Sequence, residues 1–255
     1  MSSIHSLDLT QVLLYLFWAA FAALLYYLHR EDKREGYPLE AAGTKPGTKL
    51  RLQGFPVMPK AKTFYRADGT SVQAPRGSDP QPAIAAVPVA PWPGAPLQPT
   101  GNPMTDGVGP AAYALRADVP ERMLDGSPMI LPLRVATDHG ISPHDTDPRG
   151  FAVVGCDWQR AGSVGEVWVD RSEPQVRYLE VTLDAGGTVL LPSGFVRYDM
   201  GKRRVKVASI TAAQFGHAPR LANRDQVTKL EEDRITAYFA SGHLYATPDR
   251  SEPLL

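Results

Sequence analysis

Residues 12–28, Val-Leu-Leu-Tyr-Leu-Phe-Trp-Ala-Ala-Phe-Ala-Ala-Leu-Leu-Tyr-Tyr-Leu, contain no charge, no proline and no glycine. With Leu9–Gln11 in front, the run reaches the ~20 residues that one helix needs to cross ~30 Å of hydrocarbon. A secretory signal would carry a basic front, a shorter apolar core and a small-residue cleavage site. Residues 1–11 hold no Lys or Arg, and Tyr26-Tyr27-Leu28-His29 is a poor cleavage site, so the helix reads as a retained anchor. Arg30, Lys33 and Arg34 follow it, which predicts a cytoplasmic C-terminal part and an N-terminus on the far side of the membrane. Asp8 and Ser6 are candidate N-caps, and Tyr26 and Tyr27 suit the headgroup level. Ala19, Ala22 and Ala23 share one face at i, i+3, i+4. That strip reads equally as a seat for another helix or as ordinary lipid-facing alanine.

The 27 basic and 27 acidic residues cancel, which removes a general argument for nucleic acid, whose binders carry a net basic surface. Cys156 is the sole cysteine. It excludes an internal disulfide and a cysteine-based zinc cluster and reads as a small buried residue. The six histidines show no HExxH spacing, and no GxSxG or Walker A motif marks an enzyme. Charge is nonetheless uneven. From Asp118 to Asp184 there are twelve carboxylates, six arginines and no lysine, whereas Arg197, Lys202, Arg203, Arg204 and Lys206 form a basic group. Solvated surface is the usual fate of such residues; an array that handles protons is the functional alternative.

The chain divides into residues 1–11, the membrane helix 12–30, a strap 31–115 and a globular part 116–255. Ten of the 24 prolines fall between residues 75 and 110. That density excludes a helix or central strand, while Trp92, Leu97 and Met104 argue for an ordered strap on a partner surface rather than a solvated linker. Alternation in 166–170 and 177–183, a turn at Asp184-Ala-Gly-Gly187, and short runs at 188–191, 195–198 and 204–210 predict a small antiparallel barrel or sandwich. Thr228-x-x-Glu231 is a capping box for one C-terminal helix, with Gly242 as its stop. The expected fold class is therefore a single transmembrane α-helix plus a mainly β domain with one C-terminal helix.

The chain resembles the H subunit of purple-bacterial photosynthetic reaction centres, the PRC-barrel family. The resemblance rests on Arg34-Glu-Gly-Tyr-Pro-Leu39, Pro59-Lys-Ala-Lys-Thr-Phe64, Pro99-Thr-Gly-Asn-Pro-Met104, Asp106-Gly-Val-Gly-Pro110, Gly155-Cys-Asp157, Trp168-Val-Asp170, Arg177-Tyr-Leu-Glu180, Leu230-Glu-Glu-Asp233 and Tyr245-Ala-Thr-Pro248, in order along nearly the whole chain. It implies a non-catalytic subunit of the photosynthetic membrane. Such a subunit packs beside L and M, caps their cytoplasmic side and supports proton delivery to the secondary quinone. Bacteriochlorophyll, bacteriopheophytin, quinones and non-haem iron are expected in L and M, with none bound by this chain alone. A cytochrome subunit, light-harvesting antenna and membrane lipid are further expected partners. Without the resemblance, a membrane-anchored barrel adaptor for protein interaction is the competing reading.

Quinone reduction consumes two protons, and carboxylates tuned by burial and by nearby cations suit their delivery. Glu173 lies between two predicted strands, and Pro174 restricts its backbone to extended conformations. Arg177 opens the second strand, where it opposes Glu173 or Asp170. The residues alone also fit a solvated loop with a surface ion pair; the resemblance implies that the glutamate of this loop is in the proton relay. Asp125 matches the aspartate where protons enter in the family, but Leu124-Asp-Gly-Ser-Pro-Met129 lacks the histidines that accompany it there. His139, His144, Asp145 and Asp147 offer either a different mouth or an ordinary loop.

Overall fold

The structure is a computed structural model that describes residues 8–40, 49–76, 83–92 and 94–250; Ser6 lies outside them. The chain forms two compact units, residues 1–83 with 89–96 and residues 84–88 with 97–255.

In the first unit, α1 spans Leu9–Asp32, with Asp8 at its N-cap but no capping bond from the Asp8 side chain. At ~1.5 Å per residue the helix is ~36 Å long, and it is long and apolar enough to cross a membrane. Its apolar side chains from Leu13 to Leu28 are exposed on every face, an arrangement that calls for an apolar solvent. Past the helix the chain turns back on itself around two cations. Lys33 is 4% exposed and donates to the carbonyls of Gln53, Gly54 and Pro56 at 2.7, 2.9 and 2.7 Å. Arg34 grips Glu31 with Nε and Nη2 and donates from Nη1 to Lys60 O and Ala74 O. Strands β1 (Lys62–Tyr65) and β2 (Ser71–Ala74) pair antiparallel beside it.

The second unit opens with an antiparallel pair, β3 (Ala86–Pro88) and β4 (Leu97–Pro99). A two-stranded ladder leaves each strand one free edge, and proline is tolerated there. The main sheet holds β5 (Ile130–Pro132), β6 (Ala152–Val154), β7 (Arg160–Asp170), β8 (Gln175–Leu183), β9 (Thr188–Pro192), β10 (Val196–Asp199) and β11 (Arg204–Val207). Their order is β10-β11-β6-β7-β8-β9, with β5 also on β7. The sheet is not closed, and β11 pairs with β6 in parallel, so the expected all-antiparallel pairing holds for every neighbour but that one. The Asp184–Gly187 turn forms as expected, with Gly186 and Gly187 both at positive φ and Leu183 N donating to Gly187 O at 3.0 Å.

Helix α2 (Lys229–Tyr245) begins at the expected capping box, Thr228 accepting from Glu231 N while Glu231 accepts from Thr228 N. Gly242 does not stop the helix. It lies in the last turn, where a Cβ would overlap Ser209 O and Ile210 Cγ2, so its role is close packing. Trp168, Leu179, Leu191, Ile235 and Phe239 are fully buried in the core between sheet and helix.

Candidate functional site

The β7–β8 hairpin ends in a turn at residues 171–174, and Asp170 organises it. This carboxylate is 5% exposed. Its Oδ1 accepts from Ser172 N at 2.9 Å, Ser172 Oγ at 2.8 Å and Glu173 N at 3.2 Å. Arg177 Nε lies 3.9 Å from Oδ2. Burial pushes the carboxyl up, but the Ser172 hydroxyl, the two backbone donors and Arg177 together hold it below the ordinary aspartate range. Glu173 is exposed and accepts from Gln175 Nε2 at 3.1 Å. The pairing expected of Arg177 is thus made with Asp170. A register shift makes this geometry: Trp168 faces Tyr178 and Val169 faces Val176, so Arg177 is the extra residue of a bulge. A bulge re-aims a side chain and strengthens the local twist.

Asp125 belongs to the same end of the sheet. The turn from Met123 to Ser127 precedes β5, and β5 pairs with the end of β7 through Ile130 and Asp170. Asp125 Oδ1 accepts from Ser127 N at 2.8 Å and Ser127 Oγ at 2.6 Å, which holds its exposed carboxyl below the usual range, with Arg171 adding to the effect. Arg171 Nη1 donates to Ser127 Oγ at 2.9 Å and Pro128 O at 3.2 Å. Arg171, the residue next to Asp170, therefore ties the Asp125 loop to the hairpin turn. The alternative mouth is divided. His139 and Asp145 line a cleft of about 440 Å³ together with Pro174, Gln175 and Val176. His144 is exposed, and Asp147 is bound by Arg149.

Three buried carboxylates escaped the sequence reading. Glu180 receives Trp168 Nε1 at 3.1 Å and Arg134 Nη1 at 2.9 Å. Glu166 accepts from its neighbour Val167 N at 2.9 Å and pairs with Arg149. Glu232, at the start of α2, accepts from Tyr178 Oη at 2.9 Å. Cys156 is half-buried rather than buried. Among the described residues no group of three His, Cys, Asp or Glu converges as a metal site.

Asp170 also makes a stability prediction. Its depressed carboxyl contributes stability above the unfolded value, and that contribution is lost as pH falls through the folded value. Asp170→Ala is expected to destabilise the second unit by about 2 kcal/mol near neutrality, the scale of hydrogen bonds to a charged group. The gap should close as pH drops from the ordinary 3.8 toward the lower folded value. Melting curves of both proteins across that range check it; a pH-independent gap refutes it.

A family described as "Photosynthetic reaction centre, H-chain N-terminal region" matches residues 2–135. The PRC-barrel domain matches residues 144–214. This chain belongs to the reaction-centre H-chain family. The H chain is a non-catalytic structural subunit that associates with the reaction-centre complex of L and M, and its apolar α1 fits a membrane location. The PRC-barrel match takes in β6 to β11, so the hairpin bearing Asp170, Glu173 and Arg177 lies inside it. Asp125 lies inside the H-chain match.

Proposed function

We propose that this H chain caps L and M on their cytoplasmic side and supports proton delivery to the secondary quinone during light-driven electron transfer. The N-terminus is then periplasmic, α1 crosses the photosynthetic membrane among lipid and partner helices, and the chain beyond α1 is cytoplasmic. Bacteriochlorophyll, bacteriopheophytin, quinones and non-haem iron belong to L and M. A cytochrome subunit and antenna complete the larger assembly. Residues 31–115 act as a strap on partner subunits. Leu52, Phe55 and Val57 in that strap are 83%, 78% and 78% exposed, an apolar surface of the kind that partners cover.

The observation that carries the relay reading is the gathering of Asp125, Asp170, Glu173 and Arg177 at one end of the sheet, with Arg171 joining the two loops. Asp170 is pinned and ionised, and it fixes the turn. Glu173 is exposed, and among the described residues its carboxylate accepts only from Gln175 Nε2. Asp125 is the point where protons enter from the solvent.

Glu173→Gln is expected to slow proton-coupled transfer of the second electron by on the order of tenfold, which corresponds to ~1.4 kcal/mol of barrier. Primary charge separation should be unchanged. Flash absorbance spectroscopy of the purified complex measures both, and normal second-electron kinetics in the variant would remove Glu173 from the relay.

A further inference from the structure

We infer that Glu232 is a second proton-holding site of this chain, coupled through Arg177 to the Asp170 end of the β7–β8 hairpin. The inference deepens the relay reading and rests on it for its coupling to quinone reduction.

Glu232 is 7% exposed, in the first turn of α2 and packed on β8. A buried carboxylate needs partners to remain ionised. Glu232 has one: the hydroxyl of Tyr178, itself 4% exposed, donates to Oε2. Among the described residues nothing donates to Oε1, which leaves one oxygen able to take a proton. Burial and the adjacent carboxylate push the Tyr178 phenol far up, so Tyr178 stays a donor while Glu232 titrates.

The surrounding charges are divided between competing acids. Arg177 from β8 and Arg116 from the segment before β5 both favour ionised Glu232, and Glu121 from that segment opposes it. Neither arginine is dedicated to Glu232. Arg177 also pairs with Asp170 at 3.9 Å, and Arg116 pairs with Asp233, the next residue on α2, at 3.3 Å. Burial dominates, and the carboxyl is held above the ordinary glutamate value.

Arg177 is therefore the link: it pairs with Asp170, and Tyr178, the next residue on its strand, donates to Glu232. Negative charge arriving near Asp170 and Glu173 draws the guanidinium toward that end. Glu232 loses part of what keeps it ionised and takes one proton from water onto Oε1. When the charge is neutralised, Arg177 again serves both acids and the proton is released. No other bond changes.

The test uses the assembled complex and infrared difference spectroscopy of carboxylic C=O stretching. Glu232→Gln keeps an oxygen acceptor for Tyr178 and removes only the titration, so the fold should persist; a melting curve checks this. In a dark pH titration the wild type should show a protonated-carboxyl band that is lost in Glu232→Gln. In Tyr178→Phe the band should move to higher wavenumber, because the C=O loses its donor. Identical dark titrations of wild type and Glu232→Gln would overturn the inference. So would a Glu232 band that gains no intensity when light reduces the secondary quinone. The dark titration does not involve the quinone. Normal kinetics in Glu173→Gln would remove Glu173 from the relay and leave the dark result standing.

Discussion

Gly162→Ala is expected to lower the melting temperature of the second unit by roughly 6–12 °C. Gly162 lies in β7 opposite Leu183 of β8, in the interior of the seven-stranded sheet. A Cβ there would overlap the carbonyl oxygen of Thr182 and fall 2.9 Å from Leu183 Cα. Both obstacles are backbone, so no side-chain rotation relieves the clash; the strands must part and ladder bonds lengthen. Overpacking costs about 1–3 kcal/mol, more where neighbours are rigid. At about 2–4 °C per kcal/mol for a domain of this size, ~3 kcal/mol gives the stated drop. Gly194→Ala is the control, since a Cβ there meets nothing within 4 Å, and its stability should stay within about 0.5 kcal/mol of the wild type. Gly242→Ala should fall between them. The overlap with Ser209 O is offset in part by alanine's helix preference of ~1 kcal/mol over glycine. Equal melting points for Gly162→Ala and Gly194→Ala would contradict this account of how β7 and β8 approach.

The elements legible in the sequence are those whose cause is local. Helix α1 follows from an unbroken apolar run, the start of α2 from two side chains three residues apart, and the β8–β9 turn from consecutive glycines. Long-range causes left weaker traces. The parallel β6–β11 pair depends on a three-residue strand meeting a partner some fifty positions later, and nothing in Ala152–Val154 announces its direction. Gly242 looks like a helix stop until Ser209 and Ile210 are seen against it.

The candidate site shows the same division. Asp170, Glu173 and Arg177 share one hairpin, and the sequence places them there. Asp125 came only through the family resemblance, and its link to the hairpin depends on the bonds of Arg171 to Ser127 and Pro128, which no local pattern announces. Glu232 was hidden in a charged run, Leu230-Glu-Glu-Asp-Arg234, where a solvated face is the ordinary reading. Only its burial against Tyr178 separates it from Glu231, which caps the helix, and Asp233, which binds Arg116. Period-two alternation, likewise, gave no sign that Glu180 would be buried beside Leu179 and Val181, because the groups that satisfy it, Trp168 Nε1 and Arg134, come from other segments.

Lys33 carries the other large expectation, and it concerns assembly. In the sequence it is one of three cations that orient a membrane helix; in the structure it is the most deeply committed of them. Its ammonium has three protons, and three carbonyls, of Gln53, Gly54 and Pro56, converge on it within 2.9 Å. Tyr37 presents its ring 5.0 Å from the same nitrogen, and the end of α1 favours a cation there. Lys33→Met keeps most of the side-chain volume but leaves three carbonyl oxygens without their donor. Hydrogen bonds to a charged group contribute about 1.5–3 kcal/mol each and are not additive when they share one atom, so a net loss of ~3 kcal/mol is expected. Lys33→Arg should fail as well, because a planar fork cannot replace three donors radiating from a single nitrogen. The loss falls on residues 53–57, where Phe55 and Val57 are exposed, and so on part of the strap proposed to meet the partner subunits. Amide hydrogen exchange should therefore rise across residues 49–60 in both variants, with a lower yield of complex retaining this chain. Exchange there that matches the wild type would show that the turn holds its shape without the ammonium.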